Sequence, residues 1–110
     1  MNLVEPGAAV EVLEFAVEPH LRDRWLEVER DTWTEFLRRQ PGFVHKQVWL
    51  DPIDESRVTV VIWWASRAQW KQITPEQVAA VDAEMGEWFR DSALREHVVR
   101  STWGPSGSVR

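Results

Sequence analysis

The chain contains no cysteine and no tyrosine. Without cysteine there is no disulfide framework, no thiolate nucleophile and no thiolate-bound zinc. Without tyrosine no phenol is available as a general acid or radical relay. Cationic excess is missing too: the formal net charge is −5, which argues against a nucleic-acid footprint. No apolar run is long enough to span a bilayer, so no membrane partner is expected. The opening "MNLVEPGAAV" lacks the basic stretch of a signal peptide, and a cytoplasmic location is the expectation. Phosphate-binding glycine loops, a serine nucleophile elbow and a His-x3-His pair are absent as well. The expectation is therefore a protein without a bound metal or cofactor.

What the sequence does contain is tryptophan, eight in 110 residues. That length predicts one domain over residues 1–110, with flexible ends at 1–9 and 104–110. "VEVLEFAV" (Val10–Val17) is rich in branched and aromatic residues and reads as a strand. From His20 to Gln40, Leu21, Trp25, Val28 and Phe36 recur at helical spacing, and Leu26, Trp33 and Leu37 widen the stripe. Pro41-Gly42 ends that helix. "FVHKQVWL" (Phe43–Leu50) and "RVTVVIWW" (Arg57–Trp64) read as strands. Ser66 and Gln69, then Thr74 and Gln77, have the spacing of capping boxes and predict two helix starts. The second helix would bury Val78, Val81, Met85 and Trp88 or Phe89, and Leu94–Trp103 reads as a fourth strand. The order βαββααβ predicts a ferredoxin-like α+β sandwich: an antiparallel sheet in the order 4-1-3-2, with helices on one face.

Trp63 and Trp64 are adjacent on strand three, so they point to opposite faces of the sheet. One packs under the helices; the other lies on the face that no helix covers. Four strands of about six residues present roughly 400 Å² there. An apolar patch of that size marks an interaction surface. The expected cover is a second copy of the sheet, giving a homodimer; the alternative is a tryptophan half-exposed at a strand end.

The stretch Gln40–Ile73 resembles the dimeric α/β-barrel superfamily, and within it the antibiotic-biosynthesis-monooxygenase-like (ABM-like) domains. The likeness rests on Pro41-Gly42 before strand two, Asp51-Pro52 in the following loop, the apolar third strand, and Trp64-Ala65-Ser66 with an aromatic, Trp70, four residues after the serine. "PGF…VW" and "WASR..W" are similar to a small bacterial subgroup. The resemblance implies a dimeric α/β barrel. It implies a range of activities, from cofactor-free oxygenation to isomerisation and haem degradation. Haem-degrading relatives use an asparagine on strand one and a histidine after strand three; this strand one has no Asn, and Ser66–Asp91 has no His.

A cofactor-free oxidation needs a base to ionise the substrate, which must itself reduce O2, and histidine suits that task. His45, Gln47 and Trp49 share one face of strand two. If that face looks into an inter-sheet cavity, His45 is the candidate catalytic base, and Gln47, Trp49 and Trp63 are candidate ligand contacts. If strand two is simply an edge, His45 is half-exposed. His97 on strand four is a further candidate ligand contact, about 14 Å from His45 across the sheet. Glu14, amid apolar residues on an inner strand, is the second catalytic candidate, or else half of an ion pair with Arg100. Lys46 would then face the helices and snorkel outward along its stem. The stripe Trp25, Trp33, Trp70 and Trp88 reads as core. Three functions remain open: a cofactor-independent monooxygenase or isomerase acting on a small aromatic or apolar compound, a non-catalytic module binding a small apolar ligand or haem, and a structural dimer without a cavity.

Overall fold

The computed structural model describes residues 4–105 and 107–108. β1 (Ala9–Ala16) leads through a 3-10 turn (Pro19–Leu21) into α1 (Arg22–Glu29), a π-helical stretch (Arg30–Thr34) and α2 (Glu35–Arg38). β2 (Phe43–Leu50) and β3 (Arg57–Trp64) follow, then α3 (Arg67–Trp70), α4 (Pro75–Met85), a 3-10 turn (Gly86–Trp88) and β4 (Ser92–Val98). A short hairpin of β5 (Trp103–Gly104) and β6 (Gly107–Ser108) closes the chain. The sheet runs β2-β3-β1-β4, antiparallel throughout, with β1 and β3 inside. This is the ferredoxin-like α+β order that the element sequence predicts. No helix among the described residues is long and apolar enough to cross a membrane.

Both capping serine/threonine residues hold their helices as their spacing requires. Thr74 accepts the Gln77 backbone N–H while the Gln77 side chain accepts the Thr74 N–H, a complete capping box with Pro75 at the first helical position. Ser66 accepts the Gln69 N–H, but its reciprocal bond is replaced by a side-chain contact to Gln69 Oε1. Gly42 adopts φ +86, where a side chain is strained, and a β-carbon there would meet the Gln69 side chain at 2.6 Å.

Trp63 and Trp64 point to opposite faces, as alternation demands. Trp64 is fully buried beneath the helices in a core with Val60, Ile62, Leu37 and Trp70. Trp25, also fully buried, centres a second cluster with Val17, Val58 and Met85, and its ring lies 4.9 Å from that of Phe15. The register carries one irregularity. Phe43 pairs with Trp64 and His45 with Trp63, so Val44 is an extra residue on β2, a β-bulge. After it, Lys46, Val48 and Leu50 face the helices and His45, Gln47 and Trp49 face away, because their partners on β3 do.

The helix from Arg22 is not uniform. Thr32 turns its hydroxyl back onto the Val28 carbonyl at 2.7 Å, and the next turn widens to π geometry. In a π turn residues five apart stack, which brings Thr34 over Glu29 (Oγ1 to Oε1, 3.4 Å).

Candidate functional site

The face of the sheet beneath the helices carries Glu11, Leu13 and Phe15 on β1, Ile62 on β3, and Ser92 and Leu94 on β4. The helical layer does not press flat onto it. Between the two lies a cavity of about 470 Å³, floored by those six residues. Its walls include Trp25 and Glu29 of α1, Trp33 of the π turn, Trp70, Lys71, and Val78, Asp82 and Met85 of α4; Phe89, Arg90 and Asp91 stand at the approach to β4. The lining is mainly apolar and aromatic, with a few polar groups, the usual make-up of a small-molecule site.

Each polar group in the wall has its own environment. The Glu29 carboxylate bonds Lys46 Nζ at 2.6 Å, and Lys46 also reaches Thr34 at 2.5 Å; both ion-pair side chains are nearly sealed, 6% and 7% exposed. Burial pulls the Lys46 ammonium below its ordinary range, and the charge of Glu29 opposes that pull. Asp82 accepts the Trp33 indole N–H at 3.0 Å, and burial raises its carboxyl. Outside the lining, Glu96 of β4, paired with Glu11 of β1, takes Arg67 at 2.8 Å and Lys71 at 3.0 Å, which hold its carboxyl down at about 2. Glu11 sits mid-sheet. Its Oε1 accepts the Trp64 indole N–H at 3.2 Å, and burial, the largest influence, raises its carboxyl above the usual value. The indole nitrogen of Trp25 is enclosed with no partner among the described residues.

The residues that the sequence singles out lie on the opposite face of the sheet. His45, Gln47, Trp49 and Trp63 do come together there. The Trp49 indole donates to Gln47 Oε1 at 2.8 Å, leaving the Gln47 amide to donate to His45 Nε2 at 3.0 Å, and the His45 ring packs 5.1 Å from Trp63. His97 belongs to the same face on the far edge, beyond Val10, which pairs with both His97 and Trp63. Glu14 is on this face too, 3.7 Å from Arg57 rather than paired with Arg100. None of the six lines the cavity under the helices. Lys46 does face the helices, but it is buried against Glu29 instead of snorkelling to solvent. Among the described residues, no three His, Asp or Glu side chains gather as a metal would require.

Glu11 and Glu29 are the groups that sequence reasoning passed over. Both left a signal. Glu11 alternates with Leu13 and Phe15, two core residues of the inner strand, and Glu29 falls four residues after Trp25, inside the buried helical stripe.

No protein of curated function matches this sequence significantly. Solved structures do match in shape. SnoaB of Streptomyces nogalater, described as a cofactor-independent oxygenase, superposes with a TM-score of 0.69 at 17% identity, over 87% of this chain and 96% of its own. A monooxygenase from the gene ActVA-Orf6 of Streptomyces coelicolor, in complex with nanaomycin D, gives a TM-score of 0.73 at 17% identity, over 89% of this chain and 92% of its own. At these identities the likeness is one of fold. The family model described as antibiotic biosynthesis monooxygenase matches residues 8–77.

Proposed function

Because the chain belongs to the antibiotic biosynthesis monooxygenase family, we propose that it is a cofactor-independent monooxygenase whose substrate, a small planar aromatic compound, occupies the cavity between sheet and helices. The observation that supports this most is the cavity itself. At about 470 Å³ it has the size of a small-molecule site, and Phe15, Trp25, Trp33, Trp70 and Phe89 give it flat apolar walls. With no cofactor, the substrate must supply the electrons. A methylene between aromatic rings does so: it becomes a carbonyl, one oxygen atom of O2 enters it, and its two hydrogens leave with the other oxygen as water. The four electrons all come from that carbon.

A homodimer packed through the open sheet face is part of the same proposal. Val10, Val12, Val61 and Trp63 lie on the face turned away from the helices; Val10 and Val61 are buried there by their neighbours, while Val12 and Trp63 stay half-buried. Light scattering at micromolar concentration should give twice the 12.9 kDa chain mass. The hydrogen-bonded row His45, Gln47 and Trp49 beside Trp63 favours a second reading, in which a ligand is held between the two sheets and is bound without turnover.

Anthrone tests the first reading. Its methylene is acidic and its oxidation gives anthraquinone. The expected result is O2 uptake and anthraquinone formation above the spontaneous rate. If neither anthrone nor dihydroxynaphthalene is oxidised, while either quenches the indole fluorescence, the binding reading replaces the enzymatic one.

A further inference from the structure

We infer that Glu11 is the catalytic base of this cavity and that Trp64 is the positioning residue that aims it. The inference rests on the oxygenase reading above and assigns within it the group that moves the proton.

Ionising a carbon or phenolic acid needs an unprotonated acceptor that the substrate can touch. The carboxylates lining the cavity are Glu11, Glu29, Asp82 and Asp91. Glu29 is already occupied by Lys46 at 2.6 Å and Thr34 at 3.4 Å. Asp82 likewise gives only one oxygen to an indole, that of Trp33, but it stands on α4 rather than in the sheet, and Asp91 is exposed beyond the 3-10 turn. Glu11 alone of the four is set in the sheet, on an inner strand. Its Oε1 is fixed by Trp64, and among the described residues Oε2 has no hydrogen-bond partner. Nor is Oε2 among the enclosed unpartnered atoms, which are Arg22 Nε and Trp25 Nε1. It therefore faces open space, and the space that Glu11 borders is the cavity. Rigid support comes from both neighbouring strands, since Glu11 pairs with Ile62 on β3 and Glu96 on β4.

The charges around Glu11 set how basic it is. Lys71 after α3 and Lys46 on β2 favour its anion, and Glu96 on β4 opposes it. Glu96 stays ionised under Arg67 and Lys71, and Glu29 is neutralised by Lys46. Burial outweighs the cations and raises the Glu11 carboxyl, which makes the anion a stronger base than a surface carboxylate. In the step itself, Glu11 takes one methylene proton and the electron pair stays on the carbon, which reduces O2. The Glu11 proton passes to the peroxide formed on that carbon. Glu11 then removes the second hydrogen as the O–O bond breaks, and that proton leaves with the departing oxygen as water.

The test is steady-state oxidation of anthrone by the 110-residue chain, with Kd read from indole fluorescence. Glu11→Gln, of the same shape, should lower kcat about 100-fold or more while leaving Kd within a factor of two to three. Glu11→Asp, which withdraws the carboxylate, should keep part of the activity. The wild-type kcat/KM should fall at acidic pH with a midpoint above the ordinary carboxylate range. Trp64→Phe, which removes the donor that steadies the anion, should move that midpoint further up. A merely structural Trp64 would change stability and leave the midpoint where it was. Wild-type turnover with an unchanged kcat in Glu11→Gln overturns the assignment and leaves the oxygenase reading intact. So does a rate with no ionisation in the acidic limb, which needs no variant to fold. Absence of wild-type turnover overturns both.

Discussion

Replacing Lys46 by methionine keeps the stem and removes the ammonium. Glu29 is then left as a sealed carboxylate, 7% exposed, with only the Thr34 hydroxyl at 3.4 Å in support. Breaking a buried pair from one side costs about 3–5 kcal/mol, because the surviving charge has lost both water and partner. A domain of this size holds about 5–15 kcal/mol in total, so the loss is a large share of its stability. With a urea slope of about 2 kcal/mol/M, the unfolding midpoint should fall by about 2 M. The pair itself is a different matter. Dehydrating two charges offsets most of their attraction, so Lys46→Met combined with Glu29→Leu should recover nearly to the wild-type midpoint. Urea titrations of the two single variants and the double variant, followed by tryptophan fluorescence, measure the cycle. A Lys46→Met cost under about 1 kcal/mol would show that water reaches Glu29 and screens it. A double variant as unstable as Lys46→Met would place the damage in packing rather than in the orphaned charge.

Thr74→Ala and Ser66→Ala should each cost about 1 kcal/mol, with the larger effect at Thr74, whose box is reciprocal; equal midpoints with wild type would contradict both caps. Gly42→Ala should cost about 1–3 kcal/mol, from the positive φ and the approach to Gln69 together, and Gly42→Ala with Gln69→Ala should recover the steric part only. Glu11→Gln should also raise stability near neutral pH. Because the folded carboxyl is raised, its stabilising contribution is full below the ordinary carboxylate range and is lost as pH climbs through the raised value. The amide escapes that loss, so the gain over wild type should grow from acid to neutral pH; thermal melts across that range check the sign.

Much of the architecture was legible because it depends on short-range rules. The four strands and their order, the opposed Trp63 and Trp64, and the threonine and serine caps follow from alternation and helix-end chemistry, although the fourth strand, read as Leu94–Trp103, runs Ser92–Val98. The cavity was harder to see. Reading polar residues as belonging to an uncovered face pointed to His45 and Gln47, and that face does hold them. But under the helices Glu29 reads as a surface position, and Lys46 as a side chain that snorkels its ammonium to solvent, until their partners are known. Glu29 and Lys46 meet across 17 residues of sequence, and nothing local announces it. The π turn that brings Thr34 to them is likewise a tertiary choice, since helical periodicity over Trp25, Trp33 and Leu37 tolerates a widened turn without changing face. Glu11 was more readable than either Glu29 or Lys46, because a carboxylate between core residues on an inner strand is costly wherever it occurs.

The extra residue on β2 bears on how this chain is to be lined up with its relatives. Elsewhere in a strand, gaining or losing one residue exchanges the two faces for everything downstream. At Val44 the opposite holds. Removing it would set His45 directly after Phe43, restoring strict alternation while Lys46 still meets Glu29 and Trp49 still looks away. Val44 is thus a position where β2 can shorten by one without turning core into surface. A gap opened there keeps equivalent side chains in register, whereas a gap placed a few residues later would equate buried Lys46 with exposed neighbours.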